Sequence, residues 1–209
     1  MTKKEKLIRF NKENILETAE MLFSNKGIEK TTMDEIAKQA DCSKSTIYVY
    51  FDSKEEIYNH IIYKQMCEFY NIIQTCFNSY TDFENCYFSI CNNLVSIYDN
   101  NPNYFHSIMG NINVNESDMA KNDILRNIYE VGEKINDMII SLFQKGIAEN
   151  YLQKNLLLLP TIYTLWASLT NAIMLANEKE IYIYKRMVSA KYSCGFSNLL
   201  DSSIIVNER

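Results

Sequence analysis

Apolar residues recur at steps of three and four along most of this chain, and that spacing marks one buried face of an α-helix. Strands joined by tight turns are disfavoured, because the 209 residues include only five Gly and two Pro. The pattern therefore predicts an all-α fold. The stretches that carry it are residues 11–25, 33–40, 44–51, 54–77, 83–98, 117–149 and 181–200.

Residues 31–57 have the most specific pattern, which is two short helices joined by a tight turn. Thr32 is placed to cap the first helix. The apolar positions of that helix are Met33, Ile36, Ala37 and Ala40. The turn is at residues 41–42, and Ser43 is placed to cap a second helix at residues 44–51. This arrangement predicts a helix-turn-helix.

The outward side of the second helix has the side chains that suit a DNA major groove. Ile47 and Phe51 are predicted to point inward. The residues left outside are Lys44, Ser45, Thr46, Tyr48 and Tyr50. A cation, hydroxyl groups and phenols can contact base edges and phosphates. Thr32 and Lys54 lie at helix starts, where backbone N–H groups and the helix dipole also favour a phosphate.

This stretch resembles the DNA-binding core of the tetracycline-repressor (TetR) family of bacterial regulators. The matching positions are Ile15, Leu16, Ala19, Leu22, Phe23, Gly27, Thr31, Thr32, Ile36, Ala37, Ala40, Ser43, Thr46, Ile47, Tyr48, Tyr50, Phe51, Ser53, Lys54 and Glu55. Asp41 stands where the family commonly has Gly, and Asp tolerates a left-handed backbone better than most residues. The resemblance implies a helix-turn-helix DNA-binding domain at residues 1–64 and a helical effector-binding and dimerisation domain at residues 65–209. The residues expected to bind DNA are Thr32, Ser43, Lys44, Ser45, Thr46, Tyr48, Tyr50 and Lys54.

The net charge of −5 is distributed unevenly. Residues 1–65 hold eleven Lys and Arg against eleven Asp and Glu, whereas residues 66–209 hold ten against fifteen. Within residues 1–12, five basic residues oppose one Glu. We expect a flexible basic arm there that could lie along phosphates or in a minor groove, and a solvated tail is the alternative.

Metal and enzyme chemistry are disfavoured by the positions of Cys and His. The six cysteines include no C-x-x-C pair and none has a His at ligand spacing, so we expect buried free thiols and no metal. Cys86 and Cys91 could form a redox pair, but five residues apart on a helix they face different directions. A helical-bundle metalloenzyme requires Glu three residues before His, which neither His60 nor His106 has. We therefore expect no enzyme activity and no cofactor.

Residues 155–177 contain no charged residue and have the length of a membrane span. Their Thr, Ser and Asn content, without a flanking basic cluster, favours instead a helix buried on all sides. Small residues recur at steps of four along one side of this helix and of the next one. They are Ser168, Ala172, Ala176, Ser189, Ser193 and Ser197. The family resemblance implies a homodimer in which these two helices from each subunit form a four-helix bundle. Packing within one subunit is the alternative.

Aromatic residues are frequent in the second part of the chain and could line an apolar pocket for a small lipophilic or aromatic effector. Aromatic residues at helical spacing are also typical of a plain core. The pocket candidates are Tyr87, Tyr98, Phe105, His106, Met109, Tyr129, Tyr163 and Trp166.

The prediction is a ligand-responsive transcriptional regulator, in this family usually a repressor. It would bind a palindromic double-stranded DNA operator as a dimer and be released by its effector. A protein-binding adaptor with the same fold and a helical-bundle enzyme are the alternatives. The charged N-terminal stretch has no apolar core after it, which predicts a cytoplasmic protein without a signal peptide or a membrane partner.

Overall fold

The computed structural model describes residues 2–100, 102, 105 and 116–178, and these contain helices and turns but no β-strand. The predicted all-α fold is confirmed. The helices are α1 (Lys3–Lys26), α2 (Met33–Gln39), α3 (Lys44–Tyr50), α4 (Lys54–Ser79), α5 (Phe83–Asn100), α6 (Glu116–Lys121), α7 (Asp123–Ala148) and α8 (Leu158–Glu178). The predicted helix at residues 181–200 lies outside the described residues.

Contacts between residues within the chain divide the protein into two units. The first comprises Met1–Glu68 with Gly110–Val131, and the second comprises Phe69–Met109 with Gly132–Arg209. The division falls within α4 and within α7. The predicted functional boundary between residues 64 and 65 stays a prediction.

The first helix begins eight residues earlier than the apolar pattern indicates, so the predicted flexible arm is wrong. Thr2 and Glu5 form a capping box, in which the Thr2 hydroxyl accepts from the Glu5 N–H at 3.2 Å and the Glu5 carboxylate accepts from the Thr2 N–H at 2.8 Å. Every side chain from Lys3 to Phe10 is exposed. The basic residues therefore lie on a solvated helical extension of α1.

The core of the first unit joins α1, α2, α3 and the start of α4. Its buried residues are Ile15, Ala19, Phe23, Ile36, Ala37, Ala40, Ile47, Phe51, Ile57 and Ile61. Gly27 ends α1 with a φ of 83°, a backbone conformation that favours glycine, and its N–H donates to the Phe23 carbonyl at 2.9 Å. The short helices α2 and α3 are thus held by tertiary packing.

The core of the second unit is centred on Phe83, which is fully buried. Its ring contacts the rings of Tyr87, Phe143 and Tyr151, with centroids 5.6, 5.7 and 5.1 Å away. Gly146 of α7 allows this close approach, because a Cβ atom there would lie 2.7 Å from Cδ2 of Phe83. An aromatic cluster therefore joins α5 and α7.

The single helix predicted at residues 117–149 is interrupted in the structure. Asn122 separates α6 from α7, and its side-chain oxygen accepts from the Ile124 N–H at 3.1 Å. Asn stabilises a helix start in this way, which the apolar spacing does not report. Arg126 forms an ion pair with Asp123 at 3.0 Å in the first turn of α7.

The expectation that residues 155–177 are buried on all sides is also wrong. Leu159, Tyr163 and Leu175 are 50%, 59% and 54% exposed, whereas Ile162, Leu169, Thr170 and Ile173 are buried. Among the described helices, Leu158–Ala176 of α8 is long and apolar enough to cross a membrane, and 22% of that window is buried. The helix therefore presents an apolar face that the described part of the chain leaves uncovered.

The described cysteines are free thiols. Cys76, Cys86 and Cys91 are buried, while Cys42 and Cys67 are half-buried, so burial is confirmed for three of them. Burial raises the pKa of Cys86 to about 11 and that of Cys91 to about 12. These thiols are protonated at neutral pH and therefore poor nucleophiles.

Candidate nucleic-acid interface

The turn between α2 and α3 has the backbone that the sequence predicts. Asp41 has a φ of 52°, in the left-handed region. The Cys42 N–H donates to the Ala37 carbonyl at 2.9 Å, and the Asn14 amide of α1 donates to the Ala40 carbonyl at 2.8 Å. The turn is therefore fixed against α1, and with it the orientation of α3.

The start of α3 is organised by hydroxyl groups. The Ser43 hydroxyl accepts from the Thr46 N–H at 3.0 Å, which confirms Ser43 as the helix cap. The same oxygen lies 2.8 Å from the Ser45 hydroxyl and 2.7 Å from the Thr46 hydroxyl. These three predicted DNA-binding residues therefore form one cluster of donors and acceptors.

The exposed face of α3 agrees with the prediction at Lys44, Ser45 and Tyr48, and Thr46 is half-buried. Ile47 is fully buried and Phe51 nearly so, as predicted. Val49 is 77% exposed on this face and is not among the predicted DNA-binding residues. Its position two residues after a buried Ile, on the opposite side of a helix, was the signal for it.

Tyr50 is half-buried and belongs to the side of α3 that faces α1. Its hydroxyl accepts from the Asn11 amide at 3.0 Å, and its ring packs against the first unit's core. Lys12 lies over the Phe51 ring, 5.6 Å from its centroid. The basic extension of α1 therefore emerges next to the end of α3, a proximity that the sequence spacing does not reveal.

Two predicted phosphate contacts already have partners within the protein. The Thr32 hydroxyl accepts from the Glu35 N–H at 3.2 Å and lies 3.0 Å from the Glu35 carboxylate in a capping box. The Lys54 ammonium donates to the carbonyls of Ile28 at 3.0 Å and Glu29 at 3.4 Å. Lys54 therefore also fixes the α1–α2 loop.

The N-terminus of α2 carries a strongly stabilised carboxylate. Lys26 donates to Glu35 at 2.7 Å, and this hydrogen bond, followed by those from Thr32, lowers the pKa of Glu35 to about 2. Glu35 therefore remains ionised at any pH at which the protein would bind DNA.

Asp34 and Lys44 link α2 to α3 through an ion pair. The Lys44 ammonium lies 2.8 Å from one Asp34 carboxylate oxygen and 2.9 Å from the other. Both side chains are largely exposed, at 66% and 62%. The hydrogen bond to Asp34 raises the pKa of Lys44 above its ordinary value, so the ammonium group stays charged.

His60 packs behind α3. Its ring meets the Phe51 ring edge to face, with centroids 5.4 Å apart, so it packs against the core of the first unit. Burial, followed by the charge of Lys12, lowers the pKa of His60 below its ordinary value of 6.5. The folded state therefore favours the neutral imidazole.

We predict that the free energy of unfolding falls as the pH drops below about 6.5, because His60 protonates more readily in the unfolded chain than in the folded one. A depressed pKa contributes stability above the unfolded value and loses it as the pH falls through the folded value. His60→Gln should flatten this slope in thermal unfolding between about pH 8 and 5.5, and His106→Gln serves as the control. An unchanged slope in His60→Gln would contradict the assignment.

The predicted pocket residues do not all come together. Tyr87 and Trp166 line one space between α5, α7 and α8, together with Cys91, Phe143 and Leu169. That space holds about 20 Å³, room for roughly one water molecule. Burial raises the pKa of Tyr87 strongly, so its phenol is neutral.

The other predicted pocket residues lie elsewhere in the fold or outside its description. The Tyr98 and Phe105 rings contact each other with centroids 5.2 Å apart. Tyr129 and Tyr163 are 45% and 59% exposed. His106 and Met109 lie outside the described residues.

A larger open groove of about 280 Å³ lies between α4 and α5, and none of the six predicted pocket residues that the structure describes lines it. Its lining residues include the neutral polar residues Asn71, Thr75, Ser79, Ser89 and Asn93, while apolar atoms make up most of its surface. Thr75, Ser79 and Asn93 donate hydrogen bonds to carbonyls one turn earlier in their own helices. The groove is therefore less organised for a ligand than its size indicates.

The predicted dimer face is described only on α8. Ser168 is exposed, and Ala172 and Ala176 are half-buried, so all three remain accessible. Ser189, Ser193 and Ser197 lie outside the described residues. Within the part of the chain that is described, no group of three or more His, Cys, Asp or Glu could hold a metal ion.

Known proteins resemble the helix-turn-helix part of this chain in sequence. Residues 15–61 match the sequence model of bacterial regulatory proteins of the tetR family. The biofilm operon icaADBC HTH-type negative transcriptional regulator IcaR of Staphylococcus epidermidis is 36% identical over 72 residues, which are 34% of this chain and 33% of that protein. The chain thus spans about a third of the length of this curated relative.

Solved structures match over nearly the whole chain. The fatty acid degradation regulator FadR from Bacillus halodurans has a TM-score of 0.68 at 18% identity, covering 95% of this chain and 97% of its own. FadR from Bacillus subtilis in complex with stearoyl-CoA has a TM-score of 0.66 at 17% identity, covering 92% and 98%. At such identities the likeness concerns the fold.

The fold and the α2–α3 surface define a helix-turn-helix domain similar to that of bacterial regulatory proteins of the tetR family, within an all-α chain. The resemblance to the TetR family that the sequence predicts is confirmed, by the family model at residues 15–61 and by an all-α fold shared with structures of regulators.

Proposed function

We propose that the protein is a transcriptional repressor that binds a palindromic operator as a homodimer and is released by a small lipophilic or aromatic effector. The observation that carries the proposal is the exposed face of α3. Ile47 is buried and holds α3 against the core of the first unit. The exposed residues of the helix are Lys44, Ser45, Tyr48 and Val49, and they are accessible to a DNA groove. The name of the IcaR relative, a negative transcriptional regulator, supports repression.

The basic extension of α1 adds to this surface. Lys3, Lys4, Lys6 and Arg9 are all exposed, and the Asn11–Tyr50 hydrogen bond fixes the base of the extension beside α3. Positive side chains in this position would bind phosphates flanking the groove that α3 enters. The basic extension would thereby attract DNA locally even though the whole chain is acidic.

A gel-shift experiment with the DNA upstream of the protein's own gene tests the proposal. Wild type should shift this fragment in the presence of excess shuffled DNA. Ser45→Glu places a negative charge on the exposed face of α3 and should abolish the shift, whereas Ser141→Glu places the same charge on the exposed side of α7 and should not. Equal shifts from both variants would remove α3 from the interface and favour the protein-binding adaptor.

The proposed effector site is the apolar space at Tyr87 and Trp166 in the second unit. Its present volume admits about one water molecule, so an effector must displace side chains of α5, α7 or α8 to enter. Such an opening would couple ligand binding to a rearrangement of these helices.

We predict that lipophilic compounds that raise the melting temperature also change the fluorescence of Trp166, because it is the only tryptophan in the chain and lines this space. A screen by thermal shift, followed by emission spectra at saturating compound, measures both effects. A compound that stabilises the protein and leaves the emission unchanged would place the effector site elsewhere.

The relatives matched are transcriptional regulators, and we propose no catalytic activity. We also propose that the regulator is cytoplasmic and that α8 covers its apolar face by dimerisation, without any membrane partner.

A further inference from the structure

The Asp34 carboxylate holds the Lys44 ammonium at the first position of the recognition helix α3. We infer that Asp34 competes with DNA for Lys44, and thereby limits tight binding to sequences that offer Lys44 a better acceptor. The inference rests on the proposed function, because it assigns a role within the proposed DNA surface.

The geometry makes this competition direct. Both Asp34 oxygens lie within 2.9 Å of the Lys44 nitrogen, so the carboxylate occupies the ammonium group in the absence of DNA. Asp34 is in the first turn of α2 and Lys44 is in the first turn of α3. The pair therefore bridges the two helix starts that a helix-turn-helix presents to DNA.

The exposure of the pair makes the exchange easy. Exposed ion pairs are weak because water screens them, so a phosphate or a guanine edge can replace Asp34 at small cost. While the pair is intact, Lys44 contributes no net positive charge toward phosphates. At a poorly matched sequence the Asp34–Lys44 pair persists, so Lys44 does not contact a phosphate.

The neighbouring acids lack this relation to Lys44. Glu35 is engaged by Lys26 and by its own capping box. Asp41 is exposed in the turn, and its left-handed backbone is one that Asn also adopts readily. Asp41→Asn therefore removes the same charge close to α3 without touching the pair, which makes it a matched control.

The test uses two DNA duplexes of about 30 base pairs. One carries the sequence that wild type enriches from a random library, and the other is a shuffled sequence of equal composition. Asp34→Asn should bind the shuffled duplex about two- to fivefold more tightly than wild type. A plot of log affinity against log salt concentration should have a slope that is steeper by about 0.9. In a Lys44→Gln background, Asp34→Asn should produce neither gain.

Three results would overturn the inference. The first is that Asp34→Asn still tightens binding to the shuffled duplex in the Lys44→Gln background. The second is that Asp41→Asn tightens this binding as much as Asp34→Asn does. The third is that Asp34→Asn weakens binding to the selected duplex alone. The last result would make Asp34 a residue that accepts a hydrogen bond from a base. Failure of wild type to enrich any sequence would instead refute the proposed function, so the two failures are distinguishable.

Discussion

Replacing Ile47 with alanine should lower the free energy of unfolding by about 2–5 kcal/mol and remove most operator binding. Ile47 is the buried residue of α3 and is 0% exposed in the core of the first unit. A helix of seven residues has little stability of its own, so it depends on this anchor for its position. Urea unfolding and fluorescence anisotropy with labelled operator would measure the two effects.

Val49→Ala is the matched control, because it truncates another β-branched residue of α3 that is 77% exposed. It should change the free energy of unfolding by no more than about 0.5 kcal/mol. If Val49 contacts a thymine methyl group, operator binding should weaken at one base-pair position only. Equal destabilisation by the two variants would contradict the orientation of α3.

The sequence predicts the helix-turn-helix well because its determinants are local. Thr32 and Ser43 cap their helices through hydrogen bonds that reach three residues along the chain. The left-handed backbone of Asp41 follows from a turn of fixed length between two apolar patterns. A single stretch of sequence contains all of this information.

The sequence could not predict contacts that the fold assembles. The Asp34–Lys44 pair joins residues ten positions apart, and the Asn11–Tyr50 hydrogen bond joins residues 39 positions apart. Lys54 has the composition of a phosphate contact, yet the loop after α1 supplies carbonyls for its ammonium. Such partners depend on how separate helices approach each other.

The sequence also could not predict the volume of the candidate pocket. Eight residues have suitable chemistry, but of the six that the structure describes only Tyr87 and Trp166 line the same space, and that space is small. Helical spacing indicates which side of a helix is buried, and does not give the distance between helices.

The helix α8 shows how composition alone misled the burial prediction. Its lack of charge fits a helix covered on every side, whereas Leu159, Tyr163 and Leu175 remain exposed in the single chain. An apolar face of this kind usually binds something, and the small residues at steps of four allow another helix to approach closely. We propose that a second copy of the chain covers it.

Replacing Ser168 with arginine should convert the proposed dimer to a monomer and lower operator affinity by about 100-fold or more. Ser168 is exposed, so the single chain can accommodate the larger side chain, while a close helix–helix interface cannot. In the proposed dimer each subunit would bind one half-site, and the second half-site would be bound at the high effective concentration that the first provides. A monomer loses this advantage and retains only weak half-site binding.

Light scattering and operator titrations of Ser168→Arg measure the two effects, with Ser141→Arg on the exposed side of α7 as the control. The alternative is that Ser168, Ala172 and Ala176 pack against another helix of the same subunit. In that case Ser168→Arg would lower the melting temperature of the protein, because a charged side chain would be forced into its core. Unfolding without a change of mass would therefore refute the dimer face, whereas a stable monomer with weakened operator binding would support it.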